Sequence, residues 1–228
     1  MPLPISIGLL HARKLFRIII TISILAMACN DAHAQTKFYG TFGVGSLYYH
    51  NSANGGIPTT SAIYYGVEID RYLDYHYAFT TGVLYLKGGY DNSASRWTNE
   101  FIQVPLGIKM ASLGDQFGIQ AGFNVNYLLH SELREVADPQ NNYYTIDVTS
   151  AMQRIQPDFY FGLLFRLNRV TAQLKFSFAL TNRYSTEVKS ITDTITKSYT
   201  SFYADELGKE EPSLTCWTNL FTVSVRLF

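Results

Sequence analysis

Cysteine is nearly absent. Of the two in 228 residues, Cys29 falls in an N-terminal leader and Cys216 stands alone beyond it, so the processed chain has no intramolecular disulfide to make. Histidines are few as well, and the three beyond the leader, His50, His76 and His130, lack the spaced His or Cys partners that a metal site needs. No metal and no cofactor is expected. Charged residues make up 16% of the chain, against about 25% in ordinary soluble domains. Removing Arg13, Lys14, Arg17 and Asp31 of the leader from 18 basic and 18 acidic residues leaves 15 and 17. That balance offers no general attraction for nucleic acid. The apolar-rich run over residues 18–28 is 11 residues long, short of the roughly 20 that a helix needs to cross a bilayer.

What stands at the N-terminus instead is a secretory leader, with Arg13, Lys14 and Arg17 before the apolar run and an Ala32-His33-Ala34 cleavage pattern after it. Residues 1–34 are thus expected to be a signal peptide and residues 35–228 a single mature domain. The competing reading is lipidation of Cys29, since Leu25-Ala26-Met27-Ala28-Cys29 loosely matches a lipobox, with Ala26 where Leu is usual.

The mature chain alternates with period two. From Phe117 to Leu129, one phase holds Phe117, Ile119, Ala121, Phe123, Val125, Tyr127 and Leu129, and the other holds Gly118, Gln120, Gly122, Asn124, Asn126 and Leu128. Successive side chains of a strand face opposite sides, so these are two surfaces. Val170 to Thr181 repeats the pattern, as do Ile63, Tyr65, Val67 and Ile69, then Ile102, Val104, Leu106, Ile108 and Met110, then Phe159, Phe161, Leu163, Phe165 and Leu167. A water-facing sheet carries many Lys, Glu and Thr, whereas the polar phase here is glycine and amides with a few charges of both signs. That composition suits a crowded lumen and puts the apolar phase on lipid. The first and third strands are ambiguous, because Gly43, Gly45, Thr80, Thr81 and Gly82 blur their phases.

The expected fold is all-β, an eight-stranded antiparallel up-and-down transmembrane β-barrel, with strands over residues 37–49, 62–72, 76–88, 99–110, 116–130, 157–168, 170–184 and 214–228. Tight turns at residues 73–75, 111–115 and 168–169 alternate with long loops at 50–61, 89–98, 131–156 and 185–213. In outer-membrane barrels the short turns and both termini face the periplasm. Aromatics near strand ends read as headgroup belts, with Tyr48, Tyr49, Tyr64, Tyr65, Tyr90, Trp97 and Trp217 outside and Phe38, Tyr39, Tyr72, Tyr75 and Tyr77 on the periplasmic side. Pro105 lacks the N–H for one ladder bond and is expected to mark a bulge. The terminal Phe228 reads as a signal for the barrel-assembly machinery, although Phe221, Val223, Val225 and Leu227 are out of phase with it.

The run Phe101-Ile102-Gln103-Val104-Pro105-Leu106-Gly107-Ile108-Lys109, with Gly82-Val83-Leu84-Tyr85, Lys87-Gly88, Ala121-Gly122-Phe123 and Asp158-Phe159, resembles the PorT-like outer-membrane barrel proteins of the Bacteroidetes. Val104 replaces that group's usual Ile. The resemblance implies an eight-stranded barrel in the outer membrane of a Gram-negative bacterium, in a group where one branch serves a protein-secretion apparatus.

An eight-stranded barrel is just wide enough for side chains to fill it. The lumen phase is expected to bring together Glu68, Asp70, Lys109, Arg166, Lys175 and Arg226 as a polar network, because buried charge without a partner costs several kcal/mol (about that per ion). The bland reading, an ion-paired plug, outweighs a proton or solute relay. His130-Ser131-Glu132 suggests an outer-leaflet lipid-modifying enzyme, yet adjacent strand residues point to opposite faces and form no relay. The sequence therefore favours a non-enzymatic barrel in contact with outer-membrane lipid, offering its extracellular loops to a protein partner, against a lipid-modifying enzyme or a narrow solute conductor. Two runs of β-formers, residues 143–148 and 188–199, lie in the long loops and are the places to seek that partner.

Overall fold

The computed structural model describes residues 35–51, 55–91, 95–111, 116–136, 143–181 and 214–227. Among the described residues, alternation produces nine strands: β1 (Thr36–Asn51), β2 (Gly55–Tyr72), β3 (Tyr77–Asp91), β4 (Ser95–Ala111), β5 (Phe117–Val136), β6 (Tyr143–Asp147), β7 (Ile155–Leu167), β8 (Val170–Ala179) and β9 (Leu214–Arg226). Eight of them form the wall. Every pairing is antiparallel, in the order β4-β3-β2-β1-β9-β8-β7-β5, and a β4–β5 ladder closes the cylinder. β6 is the addition: it pairs with the upper end of β5, Glu132 to Val136, above the point where β7 leaves β5 at Tyr127.

The apolar phase faces outward. Phe42, Val44, Ile63, Val67, Val83, Ile108, Phe123, Leu163 and Phe221 are all exposed, whereas the intervening residues are buried. So continuous an apolar exterior exceeds anything a water-soluble monomer shows. With polar groups inside and every wall strand paired on both sides, it is the inverse of a soluble barrel and matches the lipid-exposed band of a transmembrane one. The ambiguous strands are also settled: Tyr39, Thr41 and Leu47 of β1 and Ala78, Thr80, Leu84 and Leu86 of β3 face inward.

Several expectations change. The long loops at 50–61 and 89–98 are mostly strand, since β1 continues to Asn51, β2 begins at Gly55, β3 reaches Asp91 and β4 begins at Ser95. A hairpin satisfies its own backbone groups, so the ladder continues past the lipid without needing it. Tyr39, Tyr64, Tyr72 and Trp97 are not belt residues; they are buried inside. Tyr48, Tyr65, Tyr77 and Trp217 do lie on the outside. Pro105 marks no bulge. The β3–β4 pairing lapses between Thr80–Gly107 and Leu84–Gln103 but resumes in the same register, and the β4–β5 ladder passes Pro105–Asn124 unbroken. The bulges fall elsewhere, between Leu47 and Tyr49 opposite Pro58 and Thr59, and between Glu100 and Phe101 opposite Leu129. The eighth wall strand was expected from 214 to 228 and β8 was expected to reach 184; the described strands end at Arg226 and Ala179. The leader, residues 182–213 and Phe228 lie outside the described residues.

Local chemistry sets the periplasmic turns. Asp74 Oδ1 accepts from the backbone N–H of His76 at 2.6 Å and of Tyr77 at 2.8 Å, an Asx turn between β2 and β3. Asn168 supplies the left-handed residue (φ 54) of the two-residue turn between β7 and β8.

At mid-wall Gly107 of β4 faces Gly122 of β5 in register, and Gly122 faces Tyr160 of β7; a Cβ on Gly107 would run into the Tyr160 hydroxyl, which reaches over Gly122. Glycine is required there so that Tyr160 fits. Gly107→Val is therefore expected to destabilise the barrel by about 1–3 kcal/mol, the usual cost of overpacking, read as a lower midpoint for loss of the compact form on heating in detergent. Val104→Leu, on the lipid face of the same strand, should leave that midpoint unchanged.

Candidate functional site: a filled lumen beneath a rim

The inward phases of seven strands meet in the periplasmic half of the lumen around Glu68. Lys175 Nζ donates to Glu68 Oε1, and Lys109 Nζ lies 3.6 Å from Glu68 Oε2. Lys109 also donates to both oxygens of Asp70, at 2.9 and 3.0 Å. Polar neutral groups complete the shell. Gln173 Nε2 donates to Glu68 Oε2 at 3.1 Å and to Ser224 Oγ at 2.8 Å, Thr41 Oγ1 donates to Glu68 Oε2 at 3.3 Å, and Thr80 Oγ1 donates to Asp70 Oδ1 at 2.6 Å. Gln120 Nε2 reaches Gln173 Oε1 at 3.1 Å. Two carboxylates and two ammonium groups cancel, as a site shut off from water requires.

Of the six candidate lumen residues, the structure brings four together: Glu68, Asp70, Lys109 and Lys175. Arg166 sits at the periplasmic mouth, its guanidinium 5.6 Å from the ring centroid of Tyr72, over which Lys37 also lies at 4.0 Å. Arg226, half-buried, stands opposite Tyr39 in the β1–β9 register. Neither joins an ion pair with Glu68 or Asp70 among the described residues. Sequence reasoning missed Gln173, Thr41 and Thr80 as carboxylate partners, and Ser224 as the hydroxyl that links Gln173 to Thr41. The available signal was phase, because Gln173 precedes Lys175 by two and therefore shares its face.

Toward the outside the filling changes. A layer of amides comes first, with Gln103 Nε2 donating to Asn126 Oδ1 at 2.6 Å and Asn126 Nδ2 donating to Asp158 Oδ2 at 2.6 Å. Above it lies an apolar plug of Leu47, Tyr64, Leu84, Leu86, Trp97, Phe101, Leu128, Leu133 and Leu220, capped by Val148 and Met152. The expectation of a lumen filled by glycine, amides and ions thus holds for the lower half only. Where both phases of a strand are apolar, as at Leu128 and Leu129, alternation does not report the inner one.

His130-Ser131-Glu132 is split as strand geometry demands. Ser131 points inward, accepting from Trp97 Nε1 at 2.8 Å and donating to Asn99 Oδ1 at 2.6 Å. His130 and Glu132 point outward, with Nε2 and Oε2 3.6 Å apart. A different hydroxyl, Thr149 Oγ1, lies 3.4 Å from His130 Nδ1. It is buried, accepts from the Ser131 N–H at 2.9 Å and donates to Asp147. The proton is thus committed to a carboxylate rather than to the imidazole. This arrangement fastens the short 3-10 turn Thr149–Ala151 onto β5; it does not activate a nucleophile.

The hydroxyl and amide of Thr149 hold the Asp147 carboxyl below its ordinary value of 3.8, and the Arg134 hydrogen bond does the same for Glu132. A depressed carboxyl stabilises the folded form above its unfolded value and loses that contribution as pH falls through the folded one. The protection factors for amide exchange at Ser131 and Thr149 should accordingly be high at neutral pH and fall below the ordinary carboxylate range. In Asp147→Asn they should be lower at neutral pH and lose that acid dependence. In the lumen, Glu68→Gln strands Lys175, and removing one member of a buried pair costs about 3–5 kcal/mol. Urea titration of the protein in lipid vesicles, followed by tryptophan fluorescence, should register that loss, and an unchanged midpoint would contradict the network's role.

No family profile and no curated protein matches the chain in sequence. Among solved structures it is similar to neisserial surface protein A, at 9% identity and a TM-score of 0.49 over 83% of this chain and 97% of that one. It is also similar to Ail, the attachment invasion locus protein of Yersinia pestis, solved with the heparin analogue sucrose octasulfate, at 6% identity and 0.49 over 85% and 99%. The N-terminal β-barrel domain of Pseudomonas aeruginosa OprF aligns at 8% identity and 0.33 over 82% and 99%.

Proposed function

We propose that this chain is a non-enzymatic barrel of the outer membrane of a Gram-negative bacterium, of PorT-like kind, that anchors extracellular hairpins and presents them to a protein partner in an envelope or secretion assembly. On this reading residues 1–34 direct export and Phe228 is read by the barrel-assembly machinery. The observation that carries it is the combination of a filled lumen with strands that outrun the bilayer. A transmembrane strand needs about 9–11 residues, yet β2 has 18, β4 has 17 and β5 has 20. The excess lies at the ends opposite the tight turns, where it builds a rim rather than a span. Within that rim β6 pairs with β5 alone among the described residues, and a strand edge of that kind is suited to accept a partner strand.

The ion-paired lower half and the apolar upper half disfavour a solute conductor. The buried, carboxylate-bound Thr149 hydroxyl disfavours a lipid-modifying enzyme. Two measurements test the reading. Planar-bilayer recordings of the purified protein should give no discrete conductance. A photo-crosslinker at Thr145, exposed on β6, should trap a protein partner in intact cells, whereas one at Leu163 on the lipid face should not. Recovery of monomer alone from Thr145 would overturn the interaction role.

A further inference from the structure

The carboxylates described in the periplasmic half of the wall are already engaged. Glu68 and Asp70 are met by Lys109 and Lys175, and Asp74 Oδ1 accepts from the backbone N–H groups of His76 and Tyr77. Once those lysines are used, Lys37, Arg71, Arg166, Arg169 and Arg226 still stand at that end. Positive charge there is in excess.

Three of the arginines gather about one turn. Arg166 lies near the end of β7, Arg169 forms the tight turn with Asn168, and Arg226 ends β9, its backbone N–H donating to the Arg169 carbonyl at 2.7 Å. None of the three forms an ion pair or a side-chain hydrogen bond among the described residues. Arg166 is the sharpest case, because its Nε is buried and unpartnered while its guanidinium lies 5.6 Å from the centre of the Tyr72 ring. A buried N–H of a charged group left without an acceptor is costly, and a carboxylate is the acceptor that a guanidinium fits best.

Orientation and spacing narrow the choice of anion. Arg166 shares a register row with Thr171 and Ser224, both buried in the lumen, and Arg226 is one inward step further along β9. Both therefore carry the inward phase and border the mouth, whereas inner-leaflet headgroups surround the outside of the wall. Their strands are two places apart, about 10 Å at the backbone, and alternate side chains of an extended peptide are spaced about 7 Å apart. Two long, flexible arginines can thus hold successive acids of one extended chain entering end-on.

We propose that the periplasmic mouth is a docking site for an acidic, extended segment of a periplasmic protein, with Arg166 and Arg226 taking its carboxylates and Arg169 flanking them. The site is at the opposite end from the hairpins and does not depend on a partner there; it requires only the membrane orientation of the barrel.

The test is fluorescence anisotropy of labelled hexaglutamate with the purified protein in phosphatidylcholine nanodiscs. The wild type should bind hexaglutamate and not hexaglutamine, and Arg166→Gln/Arg226→Gln should weaken binding about tenfold or more. Arg169→Gln/Arg226→Gln, which leaves the buried Nε in place, should also weaken it, while Lys87→Gln on the rim should match the wild type. A shared heat-modified gel shift would show that all variants are folded. Benzoylphenylalanine at Tyr75, in the periplasmic turn between β2 and β3, should crosslink the peptide, and the same group at Thr145 should not. No binding by the wild type, undiminished binding by both double variants, equal loss in Lys87→Gln, or crosslinking from Thr145 alone would each overturn the proposal. So would native mass spectra in which the double variants lose bound phosphatidylglycerol but keep hexaglutamate, which would assign the arginines to lipid.

Discussion

Glu68 is held between lysines from two other strands, and the barrel's interior is organised around that contact. Its carboxylate projects from β2, Lys109 reaches it from β4 and Lys175 from β8 on the far wall. A cylinder of eight strands leaves no room for bulk water, so a charge that faces inward must be met by an opposite charge or by hydrogen-bond donors at close range. Lys109 is shared between Glu68 and Asp70, so the two acids and two bases form one connected set rather than two separate pairs. Such a set contributes less by its Coulomb energy than by what any incomplete version of it would cost. That asymmetry favours one wall register, because a one-residue slip of β2, β4 or β8 would carry these side chains to the lipid side.

The outer half solves the same filling problem by a different means. Leu84, Leu86, Leu128 and Leu220 pack around Tyr64 and Trp97, and the few polar atoms among them are matched, as with the indole N–H of Trp97 on Ser131. An apolar plug tolerates small shifts that an ion-pair set does not, since its contacts are non-directional. The half that meets the hairpins is therefore the more adaptable one, and the half at the tight turns the more exacting. The joint between them is the layer in which the amides of Gln103 and Asn126 lead to the Asp158 carboxylate, with ions below and leucines above.

Much of this was legible in the residues. Strict alternation gave the strand count and, with the scarcity of charge, the outward direction of the apolar phase; the lumen carboxylates and lysines followed from counting by twos. Three things were not legible, each for a physical reason. Tyr64 and Trp97 resemble belt residues because an aromatic near a strand end is equally suited to headgroups and to a plug, and only phase against closed-barrel geometry separates them. The rim hairpins read as loops because residues 55–60 and 89–98 are rich in Gly, Pro, Asn and Ser, while backbone pairing between long neighbouring strands overrides local propensity. Pro105 reads as a bulge because its missing N–H must break a ladder bond, but the β3 side absorbs the gap without a register shift.

The same pair of residue types carries opposite meaning on the two faces of one strand. On β4, Lys109 points inward to Asp70 at 2.9 Å, while Glu100 points outward to Lys87 at 2.7 Å. The inner pair is buried and depends on its partners completely. In the outer pair Lys87 is 47% exposed and Glu100 25%, so water and salt take up much of the interaction. Replacing an outer partner alters what the surface attracts, whereas replacing an inner one alters whether the cylinder closes. Charge on this barrel therefore divides by phase into groups that hold the cylinder closed and groups that face its surroundings. The bulge between Glu100 and Phe101, opposite Leu129, lets β5 keep His130 and Glu132 facing out and Ser131 facing in above the apolar band. Were β5 to run on past Leu128 in regular alternation, without that bulge, His130, Glu132 and Arg134 would turn inward among the leucines and Ser131 and Leu133 would turn outward.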